Sequence, residues 1–190
     1  MREAVVLVGT AMLIAFLIKS FVAQAFFIPS GSMIPQLHVG DRVVVSKLAY
    51  RLHDPHRGDI VVFDAPNQVT AKDHEALPGK VLKGILESIG LSTPSTEEYI
   101  KRVIGLPGEK VEGRGGRVYV NGRELVEPYL GQGPTTRDFE PTTLAADELW
   151  VMGDNRENSS DSRVFGPIKE STIVGRAFVK VWPIPDGSFL

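Results

Sequence analysis

Cysteine is entirely absent from this 190-residue chain. Its absence excludes disulfide bonds, thiolate catalysis and cysteine-ligated zinc, and it leaves the redox compartment open. Net charge is also small, −2 at pH 7, and no basic run resembles the footprint of a nucleic-acid-binding protein, so no nucleic-acid partner is expected. Internal repeats, low-complexity tracts and long segments of helical periodicity are lacking in the body of the chain. An α/β plan is therefore disfavoured.

A long apolar run is present at the N-terminus, where Ala4 to Ile28 contain one charged residue, Lys19. A membrane-spanning helix needs about 20 predominantly apolar residues, and a lysine near its end can reach the headgroups. The run predicts a tail and one transmembrane helix within residues 1–28. The short N-terminal tail favours an inside N-terminus and an outside body. A cleavable secretory signal is the alternative, favoured by the small residues Ala23 and Ala25.

The body, residues 29–190, is typical of β-structure. Short segments rich in valine and isoleucine are separated by Gly, Pro, Asn and Asp: RVVVSKLAY, DIVVFDAP, EYIKRVIGL, KVEG, RVYVNGREL, ELWVMGD and VGRAFVKVWP. The Asn121-Gly122 pair predicts a two-residue hairpin turn. Residues 67–98 are mostly polar and contain proline, which indicates an insertion between strands. The expected fold is mainly β, an irregular β-barrel or antiparallel-sheet region preceded by the transmembrane helix.

A possible nucleophile, Ser32, lies in PSGSMIPQL, immediately after the apolar run. The prolines at positions 29 and 35 keep this segment out of a long helix and favour an irregular turn. Such a turn can present one hydroxyl group. Serine is a poor nucleophile at its own pKa, however, so catalysis requires a base elsewhere in the chain.

Histidine is the first residue type to consider as that base. The four histidines, His38, His53, His56 and His74, lie in no tight motif, and a solvated loop histidine is the simpler interpretation of each. The HDPH segment could be a metal pair, but no third ligand stands at a suitable spacing. No metal ion or other cofactor is expected.

Lys101 is the other candidate base, because its neighbours in EYIKRVIGLPG are apolar and lie on a predicted strand. Burial disfavours the ammonium form and lowers the pKa of a lysine. A useful base would need a pKa shifted from about 10.4 to roughly 7–8. The alternative is a strand lysine that points to solvent and protects a sheet edge.

A second polar segment, GDNRENSSDSRVFG, spans Gly153 to Gly166 and directly follows the apolar ELWVM. Its composition also fits a solvated surface loop. A segment so rich in hydrogen-bonding groups can equally orient a neighbouring amine. Within it, Asp161 and Arg163 could form a buried ion-pair framework with Arg102, the neighbour of Lys101.

Taken together, PSGSMIPQL, RGDIVVF, YIKRVIGLPGE and GDNRENSSDSRVFG resemble, in order and character, the conserved boxes of bacterial type I signal peptidases. These are membrane-bound Ser-Lys endopeptidases that remove signal peptides from exported preproteins. The resemblance runs from the apolar run to near the C-terminus, apart mainly from residues 67–98. It implies that Ser32 is the nucleophile and Lys101 its general base.

The resemblance also implies roles for the residues around this dyad. The Ser30 hydroxyl and the Ser32 backbone N–H correspond to the oxyanion hole, and Ser159 to a serine that hydrogen-bonds the lysine amine. Supporting ion pairs are implied for Asp161, Arg163 and Arg102.

Substrate preference in this family is for small side chains in an Ala-X-Ala pattern, bound as an extended strand. The apolar residues at the matching positions are Phe26, Ile28, Pro29, Met33, Leu37, Tyr99 and Ile100. The implied partners are preprotein signal peptides, the lipid bilayer and, by proximity, the export translocon. The implied location is the bacterial cytoplasmic membrane, with a single pass and an extracytoplasmic catalytic domain.

The sequence departs from the family at few positions. Gln36 replaces a common threonine, and Glu157 replaces a usual aspartate with a longer arm. Two alternatives remain open: a Ser-Lys peptidase dedicated to one substrate, and a non-enzymatic, membrane-anchored β-domain that binds a partner. The intact Ser32, Lys101 and Ser159 argue against the second alternative.

Overall fold

A computed structural model of the chain describes residues 3, 6, 7, 9, 10, 23–66, 98–131 and 136–190. The first five of these residues are helical. No helix within the described residues is long and apolar enough to cross a membrane. Most of the predicted transmembrane helix, and all of the predicted insertion except Glu98, lies outside the described residues.

Antiparallel strands form most of the described chain, as the valine- and isoleucine-rich segments predict. In chain order they are β1 Ala23–Phe27, β2 Arg42–Ser46, β3 Ile60–Asp64, β4 Glu98–Gly105, β5 Lys110–Arg114, β6 Arg117–Val120, β7 Arg123–Glu124, β8 Phe139–Thr143, β9 Glu148–Met152, β10 Ile168–Lys169, β11 Ile173–Trp182 and β12 Ser188–Phe189. The mainly β fold class is thereby confirmed.

The larger sheet has eight strands among the described residues, in the order β1-β2-β11-β3-β4-β9-β10, with β12 paired to β11. All its pairs are antiparallel. Within the described chain no pairing joins β1 to β10, so this sheet is open. Of the two expected forms, the antiparallel sheet therefore describes it better than a closed barrel.

The smaller sheet has the order β7-β6-β5-β8. The predicted hairpin turn joins β6 to β7, and both of its central residues have positive φ, 50° at Asn121 and 77° at Gly122. A type I′ turn requires this conformation, which asparagine and glycine adopt more readily than other residues. The prediction of a hairpin here is confirmed.

Both faces of the larger sheet are buried. Alternate residues of a strand point to opposite sides, so neighbouring residues join different apolar clusters. On β3, Ile60 and Val62 join one apolar cluster, while Val61 and Phe63 join another. A third cluster fills the space between the two sheets and includes Ile104 of β4. Since β4 contributes to all three clusters, its polar residues are held in the centre of the fold.

Two predicted element boundaries are corrected. The last part of the predicted N-terminal helix, Ala23–Phe27, is strand β1 and pairs along its whole length with β2. Pairing satisfies its backbone groups within the sheet, which an apolar pattern alone does not reveal. The predicted strand RVVVSKLAY ends at Ser46, and Ala49–Leu52 form a short helix, α1.

Candidate active site

Ser32 lies in an irregular loop between β1 and β2, as the flanking prolines predict. Backbone hydrogen bonds close this loop from Ile34 N to Gly31 O (3.3 Å) and from Leu37 N to Met33 O (2.9 Å). The residue is only 8% exposed. Its hydroxyl group is therefore held in a restricted environment.

Lys101, on β4, is brought to Ser32 by the fold. A 2.9 Å hydrogen bond joins Lys101 Nζ and Ser32 Oγ across 69 positions of sequence. Nζ also donates to the Ile100 carbonyl at 2.9 Å and lies 5.5 Å from the centre of the Tyr99 ring. The predicted nucleophile and the predicted base are thus in direct contact.

The environment of Lys101 favours its neutral amine. Burial lowers the pKa of Lys101 to about 8, although the negative charges of Asp161 and Asp154 act in the opposite direction. Desolvation penalises the ammonium more than the amine, and here its effect is the larger. A neutral amine has a lone pair that can accept the proton of the neighbouring Ser32 hydroxyl.

Ser30 lies beside the nucleophile at the edge of the loop. Its Oγ is 3.4 Å from Ser32 Oγ, and the residue is exposed. This arrangement puts a second hydroxyl group next to the first. It is compatible with a donor that approaches a substrate oxygen once substrate is bound.

The ion pairs behind the dyad differ from the predicted set. Asp161 is paired with Arg163 through 2.8 Å and 2.7 Å hydrogen bonds, as expected. Arg102, however, binds Asp154 rather than Asp161, with distances of 2.8 Å and 2.7 Å. Side chains of successive strand residues point to opposite faces, so Arg102 points away from the face that carries Lys101.

Ser159 packs behind the nucleophile loop. Its Oγ is buried without a hydrogen-bond partner, so the predicted bond to the Lys101 amine is not formed in this structure. Burial acts to raise the pKa of Asp161, but the hydrogen bonds and the charge of Arg163 contribute to holding that pKa below its ordinary value. A Cβ at Gly153 would overlap both Ser159 Oγ and Ser32 O, so only glycine fits between them.

A cleft of about 610 Å³ opens beside the Ser32–Lys101 pair. It is bounded by β1, the nucleophile loop and the start of β4. The predicted substrate-binding residues found in its lining are Phe26, Ile28, Pro29, Tyr99 and Ile100, together with Ser30, Ser32 and Lys101. Its walls are mainly apolar beside a polar dyad, which suits an extended peptide with small side chains.

Met33 and Leu37 do not line this cleft. Both are 0% exposed and belong to the apolar cluster beneath the loop. Their predicted role in substrate binding is therefore corrected to one in the core. The loop turns these side chains inward, a direction that sequence position alone does not specify.

Further cleft and loop contacts come from residues that the sequence did not single out. Val62, Glu98, Asn158 and Ser160 also line the cleft. Asn155 hydrogen-bonds the nucleophile loop, and Asn155, Asn158 and Ser160 all lie in the polar segment after ELWVM. That segment was identified as a whole, but its composition did not indicate which side chains face the dyad.

None of the described histidines is part of the cleft lining. His38, His53 and His56 are exposed, as the loop interpretation predicts, and His74 lies outside the described residues. No group of three or more potential ligands that could hold a metal ion occurs in the described ranges. The basic side chain in contact with Ser32 is that of Lys101.

Comparison with known proteins shows the family of the chain. Residues 1–182 match the family described as signal peptidase, peptidase S26. The chain belongs to the signal peptidase family. Probable signal peptidase I-2 of Synechocystis sp. is 41% identical over 177 residues, which cover 93% of this chain and 71% of the relative.

A second relative and a solved structure are also similar to the chain. Signal peptidase I of Leptolyngbya laminosa is 40% identical, covering 97% of this chain and 81% of the relative. A crystal structure of a signal peptidase I from Enterococcus faecalis V583 has a TM-score of 0.47 and 29% identity, covering 65% of this chain and 97% of that one. The predicted family and its peptidase activity, the cleavage of signal peptides, are confirmed by the family match and these relatives.

Proposed function

We propose that this signal peptidase is a serine endopeptidase in which Ser32 and Lys101 form the catalytic dyad. The observation that carries the proposal is the 2.9 Å contact between Ser32 Oγ and the amine of Lys101, a residue that is 5% exposed. Activation of a serine requires a base within hydrogen-bond reach, and a buried amine of lowered pKa meets that requirement.

The chemistry begins with transfer of the Ser32 hydroxyl proton to Lys101 Nζ as Oγ attacks the scissile carbonyl. The Lys101 ammonium then gives this proton to the leaving amine, and an acyl-enzyme forms. A water molecule that loses its proton to Lys101 completes hydrolysis. The Ser30 hydroxyl and the Ser32 N–H are the proposed donors to the oxyanion, and one such donor is typically worth about 2.7–4 kcal/mol.

The residues behind the dyad are proposed to support Lys101. Asp161 and Arg163 anchor the segment that carries Ser159, and Asp161 Oδ2 accepts a 2.9 Å hydrogen bond from Gly153 N. Arg102 fixes the adjacent position of β4 through Asp154. The Ser159 hydroxyl is proposed to hydrogen-bond the Lys101 amine during catalysis, as the family resemblance implies.

The cleft is proposed to bind the residues before the cleavage site in an extended conformation. Glu98 to Ile100 pair with β3 on one side, while the pairing of β4 with β9 begins only at Arg102. Among the described residues no strand pairs with Tyr99 and Ile100 on that side of β4, where the substrate is proposed to add a further strand beside the dyad. Phe26, Ile28 and Ile100 line the cleft with apolar side chains and are proposed to select the small side chains of Ala-X-Ala sites.

A membrane location is proposed from the N-terminal run and from the apolar surface next to it. Phe27 and Trp182 are 50% and 49% exposed, and both are paired with Arg42 on the strand between them. We propose a single-pass protein of the bacterial cytoplasmic membrane with its N-terminus inside. Its peptidase domain would then lie on the outer face, near the bilayer and the export translocon.

Cleavage of a generic preprotein with an Ala-X-Ala site tests this function. We expect the full chain to cleave it, and we expect Ser32→Ala and Lys101→Ala to abolish cleavage while both proteins stay folded. Lys110→Ala is the matched control, because Lys110 is exposed and distant in the smaller sheet. If Lys101→Ala still cleaves the preprotein, Lys101 is not the general base and the proposed dyad is wrong. Cleavage of only one natural preprotein would indicate a dedicated enzyme.

A further inference from the structure

Asn155 holds the nucleophile loop through two hydrogen bonds. Its backbone N–H donates to Ser32 O at 3.0 Å, and its side-chain Nδ2 donates to Gly31 O at 2.9 Å. Its Oδ1 accepts from the backbone N–H of Asn158 at 3.2 Å. A backbone carbonyl only accepts and a backbone N–H only donates, so these two partners define which end of the amide faces the loop.

The bond to Gly31 O acts on the group that is the proposed oxyanion donor. The Gly31 carbonyl and the Ser32 N–H belong to one peptide group, and in a planar trans peptide they point in opposite directions. A hydrogen bond that holds the carbonyl therefore also sets the direction of the N–H. It polarises the peptide as well, which strengthens the N–H as a donor.

Asn155 is itself held firmly, since both of its neighbours are buried and charged. Asp154 is bound by two hydrogen bonds from Arg102, which adjoins the base on β4. Arg156 is 0% exposed on its side chain and is paired with Glu127. The backbone on both sides of Asn155 is thus anchored by buried ion pairs, one of which connects it to β4, the strand of Lys101.

We propose that Asn155 is a positioning residue that aims the Ser32 N–H into the oxyanion hole through its hydrogen bond to Gly31 O. The proposal rests on the proposed function, in which this N–H stabilises the oxyanion. The Asn155 side chain then stabilises the transition state through the Ser32 N–H. It does not alter substrate binding in the ground state or the pKa of Lys101.

The test compares full-length Asn155→Ala and Asn155→Asp with the unmodified chain on an Ala-X-Ala peptide. Both variants keep the backbone bond to Ser32 O, and the aspartate also keeps an oxygen for Asn158 N. We expect kcat to fall about 10- to 100-fold in both variants. This fall is no larger than the one that removal of a direct oxyanion donor typically causes. KM and the pKa of the pH profile should stay unchanged in Asn155→Ala.

A second readout separates positioning from general damage to the site. A peptide aldehyde adds Ser32 Oγ to its carbonyl and forms a tetrahedral adduct, whereas the matching peptide amide binds without reaction. Asn155→Ala should lower the affinity for the aldehyde by a factor similar to the loss in kcat. The affinity for the amide should stay unchanged. Glu157→Ala, an exposed neighbour, is the matched control and should resemble the unmodified chain.

Several outcomes would overturn the inference. The first is that Asn155→Asp keeps the full kcat of the unmodified chain. The second is that Asn155→Ala lowers the affinities for the aldehyde and the amide by the same factor. The third is that the pKa of the pH profile shifts in Asn155→Ala. If the alanine variant does not fold, the result with Asn155→Asp decides. Failure of the proposed function looks different, because the unmodified chain would then neither cleave the peptide nor bind the aldehyde more tightly than the amide.

Discussion

Lys101, the proposed general base, illustrates how burial of a residue can be unfavourable for folding and still suit a catalytic role. Burial of an ammonium costs free energy, and the folded protein reduces this cost by favouring the neutral amine. The resulting pKa of about 8 lies much nearer to physiological pH than the ordinary value of 10.5. About a tenth of the amine is then neutral at pH 7 and able to accept a proton, far more than at the ordinary pKa.

The pH dependence of cleavage follows from this pKa. Since the base acts only when neutral, kcat/KM should rise about tenfold per pH unit below about 8 and level off above it. Steady-state cleavage of an Ala-X-Ala peptide between pH 6 and 10 provides the measurement. An essential group that titrates only near 10 would contradict a buried, neutral lysine.

Stability should depend on the same residue. Between pH of about 8 and 10.5 the unfolded chain holds the lysine proton and the folded chain does not, so stability contributed by this site rises with pH in that window. Below it, burial costs about 3 kcal/mol, from about 1.4 kcal/mol per pKa unit. Lys101→Met should therefore raise the free energy of unfolding at pH 7.

Denaturant unfolding at several pH values measures this effect. The advantage of Lys101→Met should shrink as the pH approaches 10.5. Lys110→Met, at an exposed position, is the control and should show no such trend. A destabilised Lys101→Met at every pH would mean that the hydrogen bonds of the amine outweigh its desolvation.

At the scale of elements, the polar segment after β9 contacts both the loop that carries Ser32 and strand β4, which carries Lys101. Asn155 N binds Ser32 O, and Asp154 binds Arg102 of β4. Gly153 permits the close approach, since a side chain there would overlap Ser32 O. The dyad distance is therefore set by three elements that meet, rather than by any one of them.

The Arg102–Asp154 pair gives a prediction at this scale. Their side chains are 8% and 0% exposed, so Arg102→Met leaves a buried carboxylate without its partner. We expect a loss of about 3–5 kcal/mol in the free energy of unfolding. The double variant Arg102→Met/Asp154→Leu removes the unpaired charge and should recover most of that loss.

Urea unfolding of the two variants measures this coupling. Arg117→Met is the control, because its pair with Glu124 is exposed and its removal should leave stability unchanged within error. Equal stability of the single and double variants would show that no penalty arises from an unpaired Asp154.

At the scale of the whole molecule, apolar side chains remain exposed along one end of the larger sheet. Trp182, Ile184 and Phe189 are 49%, 75% and 86% exposed, and Phe27 of β1 is 50% exposed. Arg42 lies between Phe27 and Trp182 and is 5.9 Å from the Trp182 ring. A patch of aromatic residues with a basic group suits the interface of a bilayer.

The two tryptophans of the chain allow this surface to be tested. Trp150→Phe leaves Trp182 at the proposed membrane surface, and Trp182→Phe leaves the buried Trp150, which is 4% exposed. In vesicles with brominated acyl chains, we expect strong quenching of Trp182 emission and little quenching of Trp150. Equal quenching, or none at Trp182, would argue against contact of this end of the sheet with lipid.

Much of the fold follows from local patterns. The strands around Val43, Val61 and Val118, and the Asn121-Gly122 turn, were predictable because alternation and turn chemistry act over a few residues. Strand β1 was not, since its apolar residues fit a helix equally well until β2 pairs with them. The inward direction of Met33 and Leu37 likewise depends on how the loop closes over the core.

The sequence by itself determined the groups available for the proposed chemistry: a serine hydroxyl in a proline-bounded turn, no thiol, and an apolar strand that carries one lysine. Residue types and short spacings suffice for that. Only the tertiary structure decided that Ser32 meets Lys101 across 69 positions, that Arg102 binds Asp154, and that Asn155 holds the Gly31 carbonyl. The reason is that strand pairing and side-chain packing, which act between distant residues, fix these distances.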